Sequence, residues 1–251
     1  MESSYIQGRK PVLELLSVSA DRVDLVLIKK PVPGELRQVI EICRQTGIRF
    51  RLTTAQELDR LATRGHQGVI ARVRAINNAL PEDIFSLTAN SHFPVILALD
   101  QVQDPGNLGT LARTMAALGG PGIITPKDRS AHPGAGAMKS SAGAISRINL
   151  AQVTNLSRTL DLARDNGFWV YGAVMREGSD VFEMKLNFPA LLVLGGEDKG
   201  IRPNVLKRCH EKVHIPMPGG FDSLNVAQAG AIILGQMLRG RNQLFLRKDD
   251  G

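Results

Sequence analysis

Three short stretches of the chain combine residue types and spacings that could do chemistry. The first runs from Asp100 to Arg113 and holds Asn107 and Arg113 six residues apart, just after the breaker pair Pro105-Gly106. The second, Leu194-Gly195-Gly196-Glu197-Asp198-Lys199-Gly200, sets a carboxylate among glycines. The third, Ile215 to Asn225, carries Met217, Asp222, Ser223, Leu224 and Asn225 around Pro218-Gly219-Gly220. Amides, a carboxylate, a hydroxyl and a guanidinium are groups that orient a substrate and steady developing charge. Each stretch also has a plain structural reading. Asn107 could cap the helix after it, Arg113 could be a solvated helix charge, and Glu197 a loop charge. Asp222 and Ser223 could cap a helix from Leu224 onward, while Met217 and Leu224 could be core or the walls of a purine pocket. Gly195 and Gly196 would let a ligand approach the backbone closely.

The elements around these stretches set their position. Val95–Asp100, Gly122–Thr125, Ile148–Val153, Trp169–Val174, Leu191–Gly195 and Val213–Pro216 are continuous apolar runs rather than alternating ones. Such runs predict strands buried on both faces, as in a parallel sheet covered by helices. Helices are expected over Leu108–Leu118, His132–Ser146, Leu156–Asn166, Pro203–Cys209 and Asn225–Leu238. Each of the three stretches then sits at the carboxyl end of a buried strand, where open α/β sheets place ligands.

Before them, residues 1–75 read as a small α/β unit. Helix is expected over Pro11–Ser17, Glu35–Gln45 (ended by Gly47) and Ala55–Ala62 (capped by Thr54), with strands at Val23–Ile28, Ile48–Leu52 and Gly68–Val73. Residues 76–93, with Asn77-Asn78, Pro81, Thr88-Ala89-Asn90-Ser91 and then Pro94, have the composition of a linker around one helical turn. The expected division is 1–75, 76–93 and 94–251.

Charge points to an anionic partner. The formal net charge is +7, and residues 1–75 hold 13 Lys/Arg against 8 Asp/Glu, so most of the excess lies in the first unit. Arg9, Lys10, Arg49, Arg51, Arg72 and Arg74 are the candidates for contacts to a nucleic-acid backbone there, although any one of them could be scattered surface charge. At 4% aromatic residues the chain lacks the makings of a base-stacking platform, which favours recognition of a nucleic-acid partner by its shape. Cys43 and Cys209 have no metal-ligand spacing and read as buried free thiols, so no metal is expected. The stretch Met1 to Tyr5 has no apolar signal core and no run reaches the length of a membrane span, so the cytoplasm is the expected compartment. Neither GxGxxG nor GxxxxGK[ST] occurs, which disfavours a nucleotide-dependent oxidoreductase or a P-loop enzyme.

Taken together and in order, the three stretches resemble the motifs of the SpoU/TrmH branch of the SPOUT RNA 2′-O-ribose methyltransferases. Asn107-x-Gly109-x-x-x-Arg113 is similar to the first motif, Gly195-x-Glu197-x-x-Gly200 to the second, and Ile215-Pro216-Met217 with Ser223-Leu224-Asn225-Val226 to the third. Ala227 departs from a serine common at that place. Tyr5-x-x-Gly8-Arg9-x-Pro11-Val12 and His66-Gln67-Gly68-Val69 resemble the L30e-like substrate-binding unit that many members carry. Pro126-Lys127-Asp128-Arg129-Ser130-Ala131 strengthens the likeness to members that methylate a 23S rRNA guanosine.

The resemblance implies a C-terminal SPOUT domain with a deep trefoil knot, a homodimer, and S-adenosyl-L-methionine as cofactor. It further implies that Gly195, Ile215, Met217 and Leu224 bind the cofactor, and that Asn107, Arg113, Glu197, Ser223 and Asn225 serve catalysis. Arg113 would lie nearest the ribose hydroxyl, but a guanidinium keeps its proton at ordinary pH and cannot act as a base. The substrate expected is RNA, rRNA ahead of tRNA. A catalytically silent RNA-binding factor is the reading opposed by the presence of Asn107, Arg113, Glu197 and Asn225.

Overall fold

The computed structural model describes residues 4–18, 20, 23–61, 65–73, 79–220 and 222–246. Two sheets organise it. The first contains β1 (Ser4–Gln7), β2 (Val23–Lys29), β3 (Phe50–Thr53) and β4 (Val69–Val73) in the order β1-β4-β2-β3. Only β2 and β3 run parallel. Helices α1 (Arg9–Val18) and α2 (Arg37–Thr46) cover one face through Val12, Leu15, Leu16, Val39 and Cys43, while α3 (Ala55–Leu61) covers the other with Leu58. Gly47 ends α2 in the left-handed conformation (φ 71°), as its type predicts, and the Thr54 hydroxyl accepts a hydrogen bond from the Glu57 amide at the start of α3.

The second sheet has seven strands: β5 (Val95–Asp100), β6 (Gly122–Pro126), β7 (Asn149–Val153), β8 (Trp169–Ala173), β9 (Ser179–Asp180), β10 (Ala190–Gly195) and β11 (Glu211–His214). Their order is β7-β6-β5-β10-β8-β11-β9, and every pairing is parallel. The continuous apolar runs are explained by cover on both faces. Val95, Leu97, Leu99, Leu192 and Leu194 face α5 (Pro105–Leu118) and α9 (Val226–Leu246). Ile96, Ala98, Leu191 and Val193 belong to the opposite cluster, with α4 (Pro81–Thr88), α7 (Leu156–Asp165) and α8 (Pro203–Leu206). From β5 the chain steps outward to β6 and β7, then returns to lay β10 against β5. The border between β5 and β10 is therefore a topological switch point, with a crevice outside the carboxyl ends of its strands.

Several elements differ from expectation. The 81–88 segment is a packed two-turn helix: Pro81 starts it, the Asp83 carboxylate accepts from the Leu80 amide (3.0 Å), and Ile84 and Phe85 are buried against the second sheet. The stretch expected as one helix over His132–Ser146 is α6 (Ala135–Ser140) and a separate 3-10 turn at Ala144–Ser146, divided by the positive φ angles of Ala142 and Gly143. Strands β1 and β9 are too short to carry a periodic signal. Cys43 is buried in α2, whereas Cys209 follows α8 and is partly buried; burial pushes their thiols up to about 11 and about 12. The two sheets meet where α1 packs on α6, and a Lys139–Glu14 ion pair (2.7 Å) spans that contact.

Candidate active site

The crevice at the β5–β10 border is built first from backbone. Gly195 lies beside Asp100 in the parallel register, and the Gly196 amide donates to the Asp100 carbonyl (2.9 Å). The loop then doubles back, with the Gly200 amide on the Gly196 carbonyl (2.9 Å). A Cβ on Gly195 would fall 2.1 Å from the Gly200 carbonyl carbon, and one on Gly196 would fall 2.4 Å from the Gln101 oxygen. These glycines are required by the loop's own packing, a different reason from the ligand approach expected of them. At the far end of the loop, the fully buried Asp100 carboxylate accepts from the Arg202 amide (2.8 Å) and Nε (2.8 Å). A buried carboxylate held this way fastens the 196–202 loop at both ends to the tip of β5.

Helix α5 starts earlier than its apolar residues suggest. Asp104, not Asn107, is its cap: the carboxylate oxygens accept from the Gly106 (2.9 Å) and Asn107 (3.3 Å) amides, with Pro105 in the first helical position. Asn107 is thereby released for another task, one turn inside the helix and 8% exposed. Gly109 is needed because α6 crosses there; a Cβ would meet the Ser140 hydroxyl at 2.0 Å and the Ala137 carbonyl at 2.3 Å.

Asn225 caps α9, in place of the expected Asp222 or Ser223. Its Oδ1 accepts from the Ala227 (2.9 Å) and Gln228 (3.3 Å) amides, which fixes the orientation of the side-chain amide. Nδ2 is therefore aimed outward, and it donates to Asn107 Oδ1 (3.0 Å) and Glu197 Oε1 (2.8 Å). Asn107 Nδ2 also donates to Glu197 Oε1 (2.8 Å). Three residues from three distant segments thus form one closed hydrogen-bonded cluster. Glu197 Oε1 receives two amide donors, and Oε2 has no partner among the described residues. At Ala227 the cluster uses only the backbone amide of a buried residue, so the serine replaced there is not required for the cap.

Beside the cluster lies a cavity of about 640 Å³. Gly195, Ile215, Met217 and Leu224, the four residues expected to bind cofactor, all line it, as do Glu197 and Ser223. Leu194, Ile201, Val226 and Ile233 supply apolar wall, and exposed Arg176 and Asp222 form an ion pair (2.8 Å) between two loops that line it. Its size lies within the range of roughly 300–1,000 Å³ usual for small-molecule pockets. Apolar walls for a purine, polar loop backbone for a ribose and carboxylates for a cationic group fit an adenosyl sulfonium ligand.

Two expected catalytic residues stand outside the cluster. Ser223 is exposed at the cavity and hydrogen-bonds to none of the three. Arg113 is exposed on α5, with no hydrogen bond or ion pair among the described residues. Of the candidate RNA contacts, Arg9 pairs with Glu35 and Arg51 with Glu57, while Arg49 (2.8 Å) and Arg72 (2.5 Å) share Asp24. Lys10 is exposed with no ion-pair partner among the described residues, and Arg74 lies outside them. The Gly8-Arg9 and His66-Gln67-Gly68 motifs form one structural unit. Gln67 Oε1 accepts from the Arg9 amide (3.0 Å) at the head of α1, and His66 Nδ1 accepts from the Gly68 amide (2.9 Å). His66 Nε2 meets Asp59 (2.9 Å), so the ring holds a turn. Sequence reasoning missed Asp100, Asp104, Arg176 and Arg202; the Asp-Pro pair at 104–105 was the one readable signal among them.

Residues 94–235 match the SpoU rRNA methylase family, and residues 5–79 match the RNA 2′-O ribose methyltransferase substrate-binding domain. The chain belongs to the SpoU methylase family. The 23S rRNA (guanosine-2′-O-)-methyltransferase RlmB of Haemophilus influenzae is 36% identical over 242 residues, covering 95% of this chain and 98% of its own. YacO of Bacillus subtilis, named for the TrmH family of tRNA/rRNA methyltransferases, is 35% identical over 242 residues, covering 96% and 97%. The SpoU methyltransferase AviRb of Streptomyces viridochromogenes, solved in complex with AdoMet, shares the fold with a TM-score of 0.65 at 22% identity, covering 96% of this chain and 91% of its own. The protein is accordingly an RNA 2′-O-ribose methyltransferase that uses S-adenosylmethionine. Among the described residues no helix is long and apolar enough to cross a membrane.

Proposed function

We propose that this enzyme methylates the ribose of a guanosine in 23S rRNA, with Asn107, Glu197 and Asn225 as the polar centre of the reaction. The observation that carries the reading is the closed hydrogen-bonded cluster of these three residues at the edge of the cavity. Likeness to the Haemophilus enzyme over nearly the whole of both chains supports the choice of RNA.

A ribose hydroxyl is a weak nucleophile, so its proton must leave or be strongly polarised. S-adenosylmethionine, when bound, supplies an electrophilic methyl group on a positive sulfur. Gly195, Ile215, Met217 and Leu224 would hold it from the backbone and the apolar walls. Asn107 and Asn225 hold Glu197 Oε1, leaving Oε2 to accept a hydrogen bond from substrate, and Ser223 is close enough to the cavity to add another.

Arg113 would steer an RNA phosphate and the 2′-oxygen electrostatically, with water or phosphate taking the proton. Its exposure, outside its own subunit's cluster, suits a homodimer in which residues from both subunits complete each site. The reading includes the family's trefoil knot around the cofactor site, the division into a substrate unit (1–75), a connector (76–93) and a methyltransferase unit (94–251), and a cytoplasmic location where ribosomes are made.

The test is transfer of tritium from labelled S-adenosylmethionine to 23S rRNA, free or in precursor particles, and to tRNA in parallel. Label in a 23S guanosine is expected. Label in tRNA alone would replace the rRNA assignment, and label in neither would remove both.

A further inference from the structure

The Pro126–Ala131 segment, singled out in the sequence, takes no part in the cluster or the cavity. It forms the loop at the carboxyl end of β6 and is stapled at both ends. The Lys127 amide donates to the Val153 carbonyl at the tip of β7 (2.9 Å), and the Ala131 amide donates to the Val102 carbonyl (2.7 Å) in the loop that leads into α5. Lys127, Asp128 and Arg129 are left exposed on the same edge of the sheet as the active site, beside the turn that Asp104 uses to start α5.

Three further observations bear on what this loop presents. Arg129 holds a left-handed backbone (φ 52°), a conformation that costs a residue with a side chain about 1 kcal/mol or more and that persists where the surroundings enforce it. The hydroxyls of Thr125, which is 1% exposed, and of Ser130 have no hydrogen-bond partner among the described residues. Lys127 and Arg129 have no ion-pair partner among them either, and the same is true of Arg158, exposed in the first turn of α7 beyond β7. The nearby Asp104 carboxylate is engaged by two backbone amides, and the loop presents no large exposed apolar side chain.

We propose that Lys127, Arg129 and Arg158 form a second RNA surface, on the methyltransferase unit itself, which binds phosphates of the strand beyond the methylated nucleotide. Unpaired cations fixed on a stapled loop suit a polyanion, since they lose no partner on binding. The surface continues the active-site edge along the outer strands β6 and β7. The substrate would then be held on both sides of the reacting ribose, and not by the basic first unit alone. The inference rests on RNA being the substrate.

The experiment uses the full chain with Lys127→Gln, Arg129→Gln and Arg158→Gln combined, beside Arg49→Gln as a paired-cation control. The probe is unmodified 23S rRNA made by transcription. Affinity is measured over a series of KCl concentrations, with KM for RNA, kcat at saturating RNA and affinity for S-adenosylhomocysteine measured in parallel. The triple variant is expected to raise the RNA Kd and KM about tenfold or more. It should also lower the slope of log affinity against log salt by about 2, since each lost phosphate contact removes roughly 0.7–0.9. Turnover at saturation and S-adenosylhomocysteine affinity should stay at the wild-type level, and Arg49→Gln should change little. An unchanged Kd and slope in a variant that still binds S-adenosylhomocysteine would overturn the proposal. Normal RNA binding with activity lost only on precursor particles would also overturn it, reassigning the loop to a ribosomal protein. Because binding is read apart from catalysis, a wild-type enzyme that binds the transcript without methylating it would count against 23S rRNA, while the slope would still judge the surface.

Discussion

In the four-stranded sheet, Asp24 sits between Arg49 and Arg72, while Arg9 and Arg51 reach Glu35 and Glu57, so four of the candidate RNA-contact cations are engaged by carboxylates, Lys10 being the exception among those described. At the carboxyl edge of the seven-stranded sheet, uncharged amides converge on one carboxylate, and Lys127, Arg129 and Arg158 have no ion-pair partner among the described residues. The first region carries most of the net charge, and the second carries the geometry. A charge count registers how many cations a region has, not how many are already engaged. On the proposal above, substrate recognition is shared between the basic first unit and the methyltransferase unit.

The contrast can be broken most directly at Glu197. Replacing it with alanine removes the acceptor that both amides share. The kcat/KM for methyl transfer should fall about 100-fold or more, with little change in melting temperature, because the residue is exposed. Near-normal activity would dissolve the cluster's claim to be the reaction centre. At Gly109→Ala the new methyl group meets α6 at 2.0–2.3 Å, and the helices must part. A loss of about 1–3 kcal/mol in denaturant unfolding is expected, together with lower activity as Asn107 shifts.

Asp104→Ala sharpens the contrast more gently. Loss of the cap should cost about 1 kcal/mol of stability in the same assay, with RNA affinity retained. The smallest effect belongs to the first sheet. The Arg72 hydrogen bond, helped by Arg49, holds the Asp24 carboxyl below its usual range. A lowered carboxyl pKa contributes stability above the unfolded-state value and loses it as pH falls through the folded value. The gap in melting temperature between wild type and Asp24→Asn should therefore be small, level above about pH 5, and narrowing in more acid solution. A large gap, or a large loss of RNA binding at neutral pH, would return importance to the paired cations.

The sequence alone carried the elements well where burial was complete. The runs at Val95–Asp100 and Leu191–Gly195 read as strands covered on both sides, and Gly47 as the end of a helix. It carried the caps less well, because Asp, Asn and Ser are nearly interchangeable in that role. Asn107 lay one turn from the true cap, Asp104, and Asp222 and Ser223 stood close before Asn225. Helix α4 was hidden because Pro81 reads equally as a breaker or as a first helical residue. The meeting of Asn107, Glu197 and Asn225 had no local signal at all. It depends on β10 inserting next to β5, a long-range pairing that spacing does not encode and that only the family resemblance anticipated. The pairing of Arg9, Arg49, Arg51 and Arg72 was equally hidden, since their partners come from neighbouring strands and helices.

Asn225 both winds the start of α9 and closes the amide cluster, and this gives the enzyme an order of assembly. Asn107 and Glu197 are synthesised first, yet the contacts that lock them wait for a residue 118 positions after Asn107. Until α9 has formed, Glu197 lacks one of its two amide donors and the cavity lacks the wall that Val226, Ala229 and Ile233 provide. A nascent chain folding from its amino end would therefore hold a nearly complete sheet and still lack part of the cluster and of the cavity wall. On the proposed reading, cofactor binding and reaction would both wait for that one late element.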